Sequence, residues 1–413
     1  MNYTYFVTLF AAAVFCLTAS AQPQSKGTPR PLPDGDGKQI LENACTTCHP
    51  ITMITNAGHT REDWQLVMER MVAAGAEVPQ NQIATVTDYL AKNFPEGNVP
   101  KAVIVPGPNK VSFQEWTGPT AGSRPHDPLA THDGYLWYTG MYANVLGRVD
   151  TKTGEIKEFQ PPMAHSGPHG LVEDKDGNIW FTGNNAGLIG KLDPNTGLVT
   201  EYKLPDPAAK DPHTLIFDRD GILWFTVQQA NRVGRLDPKT GQIKLVTSPT
   251  ERSRPYGMAV NSKNVVFFVE FGANKVASID SRTMEIKQYP LPDPAARPRR
   301  IAISPDDIIW YTDFARGFLG RLDVATGKVT EWQSPSGPKS EPYGLVFAKG
   351  ALWYNESFAK PNTIVRFDPK SEKFQAWEIP GGGDIVRNMH VTPDGNPVMA
   401  NSLANEVGMI EIK

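Results

Sequence analysis

Residues 168–182 of this 413-residue chain read PHGLVEDKDGNIWFT, and residues 212–226 read PHTLIFDRDGILWFT. The same pattern opens seven units along the chain, and the opening residues are Pro125, Pro168, Pro212, Pro255, Pro298, Pro342 and Val386. Successive openings lie 43 or 44 residues apart. A period of this length that stays so constant is typical of a propeller or a solenoid.

Each unit contains four short runs that are rich in β-branched and aromatic residues and are separated by turn residues. In the second unit these runs are 169–172, 179–182, 188–192 and 199–204. Four runs per unit predict one four-stranded antiparallel sheet. Sheets repeated in this way around a ring form a β-propeller.

The two ends of the repeat region are predicted to complete one blade together. The last unit ends after its third run, 407–412, while residues 111–116 precede the first unit and match a fourth run. Pairing of these runs would close the ring and remove an exposed sheet edge. We therefore predict an all-β propeller of seven blades over residues 111–413, with six or eight blades as the alternatives.

Polar or aromatic residues follow the opening residue in every unit. They begin the innermost strands and should surround one mouth of the central channel; they are His126, His169, His213, Tyr256, Arg299, Tyr343 and Arg387. Three units also carry an acid three residues after the second-run aromatic, and these acids are Glu270, Asp313 and Glu356. Ionisable groups that converge at a mouth predict a binding or catalytic pocket. The alternative is a water-filled channel whose polar lining performs no chemistry.

The repeat resembles that of the streptogramin B lyase family, also called virginiamycin B lyases. Units of that family have the form Pro-Tyr/His-Gly-Ile, Asp-Gly, Trp-Phe-Thr-Glu and Asn-x-Ile-Gly-Arg, and the resemblance runs from Val111 to Lys413. It implies a seven-bladed propeller. It also implies a lyase that opens a cyclic depsipeptide by elimination, with Mg2+ bound near the channel mouth.

The residues that match the lyase site of this family lie in the second to fourth units. The resemblance implies catalytic roles for His169, His213 and Tyr256, with either histidine as the base. It also implies a Mg2+ region at Asp211 and Gln228. Two positions depart from the family pattern. Asp211 is a shortened acid, which can still hold a metal through water, whereas the neutral Gln228 weakens cation binding.

A second pattern lies near the N-terminus, where residues 45–49 read CTTCH. Cys-x-x-Cys-His is the motif that attaches a c-type haem, because two nearby thiols add to the haem vinyl groups and the histidine binds the iron. Cys45 and Cys48 are therefore predicted as the covalent haem attachments and His49 as the proximal axial ligand. A redox dithiol or half of a zinc site is the alternative.

Residues 34–95 around this motif are predicted to form a small all-α cytochrome c domain. Helices are expected over 36–45, over 64–74 behind an N-cap at Thr60, and within 79–94. Candidates for the sixth iron ligand are Met53, Met68, Met71 and His59. The Trp-x-x-x-x-x-x-Met helix followed by Ala-Gly resembles class I cytochromes c, which favours Met71 over Met68. Alternatively, both methionines belong to the core.

Residues 1–21 are predicted to be a cleaved secretory signal, because a short apolar run at 6–17 precedes Ala19-Ser20-Ala21. After cleavage the chain would keep no membrane span, and a periplasmic or secreted location is expected. Residues 96–110 are rich in proline and glycine and predict a semi-rigid linker. The net charge of −3 gives no electrostatic footprint for nucleic acid.

Together these patterns predict an exported multidomain protein, a haem domain followed by a propeller. The first hypothesis is electron transfer, with a propeller that binds a small molecule or a redox partner protein. An enzymatic form would oxidise a substrate at the propeller and pass its electrons to the haem. The alternatives are a Mg2+-assisted lyase with an appended cytochrome and a non-catalytic recognition propeller.

Overall fold

A computed structural model describes residues 32–45, 54, 58–73, 76–96, 99–383 and 385–413. The predicted signal segment and the haem-motif residues Cys48 and His49 lie outside these residues, as does Met53. Among the described residues, no helix is both long and apolar enough to cross a membrane.

Three α-helices lie in the N-terminal part of the described chain. They are α1 Lys38–Cys45, α2 Arg61–Ala73 and α3 Ile83–Asn93, and a 3-10 turn at Gln80–Gln82 leads into α3. Helix α2 begins three residues earlier than predicted because Thr60 caps it, the Thr60 hydroxyl accepting a hydrogen bond of 3.1 Å from the Asp63 amide. The predicted N-cap is therefore confirmed.

The three helices share one apolar core. Leu41 of α1, Trp64 and Met68 of α2, and Val86 and Leu90 of α3 are all buried and pack together. The indole of Trp64 donates a hydrogen bond of 2.9 Å to the carbonyl of Phe94 at the end of α3. Helix α3 therefore packs against both other helices.

Seven four-stranded antiparallel sheets follow. In six of them the strands are adjacent in chain order, and in the seventh the first strand of the region pairs with the last. Blade one contains β2 Pro125–Ala130, β3 Leu136–Gly140, β4 Val145–Val149 and β5 Ile156–Phe159. Blade two contains β6 Pro168–Glu173, β7 Ile179–Gly183, β8 Leu188–Leu192 and β9 Val199–Lys203. Blade three contains β10 Pro212–Phe217, β11 Leu223–Val227, β12 Arg232–Leu236 and β13 Ile243–Thr247.

The remaining blades repeat this arrangement. Blade four contains β14 Pro255–Val260, β15 Val266–Glu270, β16 Lys275–Ile279 and β17 Ile286–Pro290. Blade five contains β18 Pro298–Ile303, β19 Ile309–Asp313, β20 Phe318–Leu322 and β21 Val329–Gln333. Blade six contains β22 Pro342–Ala348, β23 Ala351–Glu356, β24 Thr363–Asp368 and β25 Lys373–Glu378. Blade seven contains β26 Val386–Val391, β27 Pro397–Asn401, β28 Glu406–Ile412 and, from the start of the repeat region, β1 Val111–Thr117.

Blade seven joins the two ends of the repeat region, as predicted. Strand β1 pairs antiparallel with β28, from Val111 opposite Ile412 to Thr117 opposite Glu406. The outermost strand of this blade therefore comes from the beginning of the region and its inner three strands from the end. This pairing leaves no open position in the ring between blades seven and one.

Buried aromatic side chains pack each blade against the next. The indole of Trp180 on β7, for example, lies fully buried against Leu215, Leu223 and Phe225 of blade three. A side chain of this size buries roughly 150–250 Å² of surface. The tryptophan in the repeat pattern is therefore a packing residue between blades.

The predicted linker lies along blade six. The amide of Ala102 donates to the carbonyl of Lys360 at 3.1 Å, and Val105 and Ala376 exchange hydrogen bonds of 3.3 and 3.0 Å. The amide of Val103 also donates to the hydroxyl of Ser336 at 3.0 Å. Residues 99–110 are therefore docked on the propeller, which fixes the point from which the helical part of the chain departs.

Candidate functional site

Every innermost strand of the propeller has an irregularity just after its opening residue. In each blade the register shifts between the opening residue and the third residue after it. A break of this kind interrupts the usual alternation of side chains and re-aims them. As a result, two consecutive residues of each blade face the central channel.

These residues form two rings, one residue apart along the strands. The first ring consists of His126, His169, His213, Tyr256, Arg299, Tyr343 and Arg387. The second ring, one residue further from the rim where the strands begin, consists of Asp127, Gly170, Thr214, Gly257, Arg300, Gly344 and Asn388.

In four blades a threonine near the end of the second strand ties the two rings together. The hydroxyl of Thr182 accepts a hydrogen bond of 2.8 Å from the Gly170 amide and donates one of 2.8 Å to the His213 carbonyl of the next blade. Thr139, Thr226 and Thr312 make the same two bonds in blades one, three and five. Each such threonine ties the second ring of one blade to the first ring of its neighbour.

Three histidines and a tyrosine stack side by side in the first ring. The ring centroids lie 3.6 Å apart for His126 and His169, 3.9 Å for His169 and His213, and 4.0 Å for His213 and Tyr256. The three imidazoles are at most 5% exposed. Burial, reinforced by neighbouring histidines or arginines, lowers the pKa of each imidazole well below its usual value. They are therefore neutral near pH 7, and each has a nitrogen able to accept a proton.

Two tyrosines complete this side of the mouth. The hydroxyl oxygens of Tyr256 and Tyr343 lie 2.5 Å apart. Burial raises the pKa of Tyr256 to about 12. Burial would also raise the pKa of Tyr343, but the charges of Arg299, Arg300 and Arg387 outweigh it and lower that pKa. Tyr343 is therefore the more acidic member of the pair.

The second ring closes the channel with a single side chain, that of Arg300. From blade five its guanidinium donates to the Asp127 carboxylate of blade one at 3.2 Å and to the Thr214 hydroxyl of blade three at 3.1 Å. It also donates to the Arg387 carbonyl of blade seven at 3.3 Å. Asn388 donates to the other oxygen of Asp127 at 2.9 Å. This network therefore closes the channel below the first ring.

Glycine is required in the second ring where neighbouring strands approach closely. A Cβ atom on Gly257 would lie 2.9 Å from the Arg299 carbonyl oxygen and 3.0 Å from the Arg300 Cα. Such contacts are closer than packed atoms tolerate.

His126, Asp127 and His169 come close enough for metal binding, with their ligand atoms all within 4.8 Å of one another. Asp127, however, already carries a hydrogen bond of 2.8 Å to His126 and the ion pair with Arg300. A divalent cation would have to displace Arg300 and would face the other arginines of the mouth. This cluster is therefore better suited to its present ion pair than to a metal.

An apolar cavity lies between the helices and the rim of the propeller. Its empty volume is about 890 Å³, including open solvent at its entrance. The helical side includes Leu41, Cys45, Trp64, Met68 and Met71, and the propeller side includes Arg124, Ser357, Phe358, Ile385 and Leu403. Arg124 and Ile385 each lie two residues before a member of the first ring. The cavity therefore adjoins the channel mouth on the side of blades six, seven and one.

A model of the virginiamycin B lyase family matches residues 103–357, more than half of the chain. This chain belongs to the virginiamycin B lyase family. No curated protein sequence gives a significant match.

Solved structures of virginiamycin B lyases share the fold. Selenomethionine-substituted virginiamycin B lyase from Staphylococcus aureus aligns with a TM-score of 0.67 at 25% identity, over 73% of this chain and 99% of that one. A streptogramin B lyase structure aligns with a TM-score of 0.67 at 28% identity, over 74% and 98%. A catalytically inactive variant of the Staphylococcus aureus enzyme with quinupristin gives 0.67 at 25% identity, over 73% and 99%. These alignments confirm the seven-bladed propeller.

In this virginiamycin B lyase family member, the predicted Mg2+ residues lie at the rim of blade three. Asp211 is 7% exposed, its carboxylate accepts a hydrogen bond of 2.7 Å from the Gln229 amide, and burial raises its pKa. It lines a groove that also contains Asn184 and Lys210. The backbone N–H of Gln228 donates a hydrogen bond of 3.4 Å to the backbone carbonyl of Asp211. A cation at this groove would therefore share it with the ammonium group of Lys210.

The acids Glu270, Asp313 and Glu356 do not join the two rings. Glu270 accepts hydrogen bonds of 2.9 and 2.8 Å from Gln288 on the outermost strand of blade four. Asp313 forms a 2.6 Å ion pair with Arg316. Glu356 accepts from Ser334 and from Thr363, both at 2.6 Å. All three are fully buried among these partners, so they tie strands together behind the channel wall.

Proposed function

We propose that this chain is an exported haem c protein that transfers electrons, with the haem in the apolar cavity between the helices and the propeller rim. The observation that carries this proposal is the cavity itself, because it brings Cys45 of the Cys-x-x-Cys-His motif together with Met68 and Met71. A bound haem would supply one-electron redox chemistry at that position.

The residues around the cavity fit the chemistry of haem. Apolar side chains such as Leu41, Trp64 and Phe358 suit the porphyrin face. At the propeller wall, Arg124 has a buried Nε without a hydrogen-bond partner among the described residues, and burial lowers its pKa to about 10. Arg124 remains a cation near pH 7 and suits a haem propionate.

We assign the attachment and the axial ligands from the motif and the cavity. Cys45 and Cys48 would hold the haem covalently, and His49 would bind one face of the iron. Met71 is the better candidate for the other face, because it is half-buried at the cavity wall, whereas Met68 is 1% exposed within the helical core. Met68 remains the alternative.

Electrons would pass between this haem and either a redox partner protein or a small molecule at the channel mouth. The short chain segment from Arg124 at the cavity to His126 in the first ring supports the second route. The predicted signal at 1–21 supports a periplasmic or secreted location, where c-type haem is attached in bacteria.

Haem binding is tested by the visible spectrum of the full chain, exported from a host that matures c-type cytochromes. The reduced protein should show c-type absorption bands, and Cys45→Ser together with Cys48→Ser should abolish covalent haem after acidic acetone extraction. Met71→Leu should lower the reduction potential, because a thioether ligand raises it. Met68→Leu is the matched control. A colourless wild-type preparation would refute the proposal.

Elimination chemistry is the second candidate function, and the stacked neutral histidines together with family membership favour it. His169 or His213 would take a proton from the carbon beside a carbonyl group. The freed electron pair would form a carbon–carbon double bond as the bond to the ester oxygen breaks. Tyr256, which keeps its proton at neutral pH, lies against His213 and could protonate the departing oxygen. Mg2+ would bind in the region of Asp211 and Gln228.

The lyase candidate is tested with the full chain, Mg2+ and the cyclic depsipeptide quinupristin, followed by mass spectrometry. Elimination gives a linear product of unchanged mass, whereas hydrolysis adds one water. Because a carboxylate at position 228 would strengthen cation binding, Gln228→Glu should raise the rate at least tenfold, and His213→Asn should abolish it. If neither the wild type nor Gln228→Glu yields a linear product, this candidate is wrong.

A further inference from the structure

We infer that the channel mouth binds a small organic anion with a flat apolar body, of the class represented by aromatic carboxylates. This inference deepens the proposal that the propeller binds a small molecule and rests on that part of it. It does not depend on haem.

Positive charge dominates the mouth. Its cations are Arg299, Arg300 and Arg387 from the two rings and Arg124 at the adjoining cavity wall. The acids among them are Asp127 and Glu341. Asp127 is neutralised by its ion pair with Arg300, and burial raises the pKa of Glu341 to about 7 despite nearby Arg299. The described residues of the mouth therefore leave an excess of cations that an anionic ligand would balance.

Two buried donors or acceptors in the first ring lack a protein partner. The Nε of Arg299 and the Nδ1 of His169 are both buried without a hydrogen bond among the described residues. One terminal nitrogen of Arg299 reaches the Tyr256 hydroxyl, but only at 3.5 Å. Buried polar groups are ordinarily hydrogen-bonded. An anion that accepts from the Nε of Arg299 would satisfy that group, and an anionic group near His169 would satisfy the tautomer protonated at Nδ1.

The walls of the mouth select for a flat ligand. The Arg299 guanidinium lies 3.7 Å from the ring centroid of Tyr343, 4.1 Å from that of Phe314 and 4.7 Å from that of Phe271. The stacked imidazoles line the opposite part of the ring. Aromatic side chains around a fixed guanidinium suit a planar group that ends in a carboxylate.

The arrangement is unsuited to a cation. Arg300 already occupies the position from which a cation would contact Asp127. The arginines would also repel an ammonium ligand. Charge therefore distinguishes this mouth from one that accepts cationic or metal-bound ligands.

Calorimetric titration of the full chain with benzoate, benzamide and benzylamine tests the inference. These probes have nearly the same shape and differ in charge. Benzoate should bind at least tenfold more tightly than neutral benzamide, and benzylamine should not bind. Benzoate affinity should fall as salt is added. Equal affinities for benzoate and benzamide, or no benzoate binding up to about 10 mM, would overturn the inference.

Variants locate the binding. Arg299→Met should weaken benzoate binding at least tenfold, and Arg299→Lys should recover part of it. Arg235→Met is the matched control, because Arg235 lies on the third strand of blade three and donates to the Ser281 carbonyl at 2.8 Å, away from the mouth. If Arg235→Met weakens binding as much as Arg299→Met, the mouth is not the site. Circular dichroism verifies that each variant is folded.

The visible spectrum separates this inference from the haem proposal. Benzoate binding by a colourless protein would support the anion site and refute the haem. A protein that carries haem but does not bind benzoate would support the haem proposal and refute the anion site.

Discussion

Arg300→Met is expected to lower the free energy of unfolding of the propeller by about 3–5 kcal/mol, the typical cost of removing one partner from a buried ion pair. The Arg300 side chain is 4% exposed and that of Asp127 is 3% exposed. Methionine would fill similar space but donate no hydrogen bond. Asp127 would keep His126 and Asn388 as partners but would lose the only full positive charge that contacts it among the described residues.

Urea unfolding followed by tryptophan fluorescence measures this effect. The double variant Asp127→Asn with Arg300→Met should recover part of the loss, because it removes both charges, and the cycle of single and double variants isolates their coupling. Arg235→Met is the control, with an expected loss of about 1–2 kcal/mol, the usual contribution of one such hydrogen bond. If the free energy of unfolding of Arg300→Met lies within about 1 kcal/mol of the wild-type value, the network around Arg300 does not stabilise the propeller as described.

The sequence predicts the propeller well because its information is repeated. Each blade presents the same four runs with the same turn residues, so an ambiguity in one unit is resolved by the other six. The closure of blade seven follows from the same reasoning. The last unit ends with its third run, 407–412, and residues 111–116 before the first unit supply the missing fourth run.

The second ring could not be predicted in the same way. Arg300 lies 173 residues from Asp127 and 86 from Thr214, and Asn388 lies 261 residues from Asp127. No local pattern connects residues that meet only when the ring closes. A usable signal was nonetheless present, because the position after the first ring is either glycine or polar in every unit. Glycine at such a position indicates close approach of another group.

The role of the acids near the end of the second strand could not be predicted for a different reason. Glu270 and Glu356 lie behind the channel wall and not at the mouth where they were expected, and each accepts hydrogen bonds from side chains of other strands of its blade. Whether a buried carboxylate serves a ligand or its neighbours depends on side chains supplied by other strands. The haem motif is the opposite case, since its spacing has a local chemical meaning even though Cys48 and His49 lie outside the described residues.

Acidification from pH 6.5 to 5 is expected to destabilise the propeller steeply. The pKa values of His126, His169 and His213 are lowered in the folded state by burial, so below pH 6.5 the unfolded state binds more protons. Stability is then lost as the pH falls, by about 1.4 kcal/mol per pH unit for each such histidine. His390, whose pKa burial lowers to about 4, adds a fourth. Glu341 offsets the effect of one histidine. Burial raises its pKa to about 7, so between pH 7 and 4.5 the folded state binds more protons at Glu341 than the unfolded state does.

Asp211 and Asp313, whose pKa values burial also raises, act in the same sense as Glu341. The expected net slope just below pH 6 is therefore at most about 4 kcal/mol per pH unit, measured by urea unfolding at a series of pH values. His169→Gln should reduce that slope by about 1.4 kcal/mol per pH unit, because one neutral imidazole is removed. Tyr256→Phe is the matched control. It disturbs the same ring and loses the hydrogen bond to Tyr343 but keeps all three histidines, so the slope should not change. Stability that stays constant between pH 7 and 5 would contradict the assignment of neutral, buried imidazoles at the channel mouth.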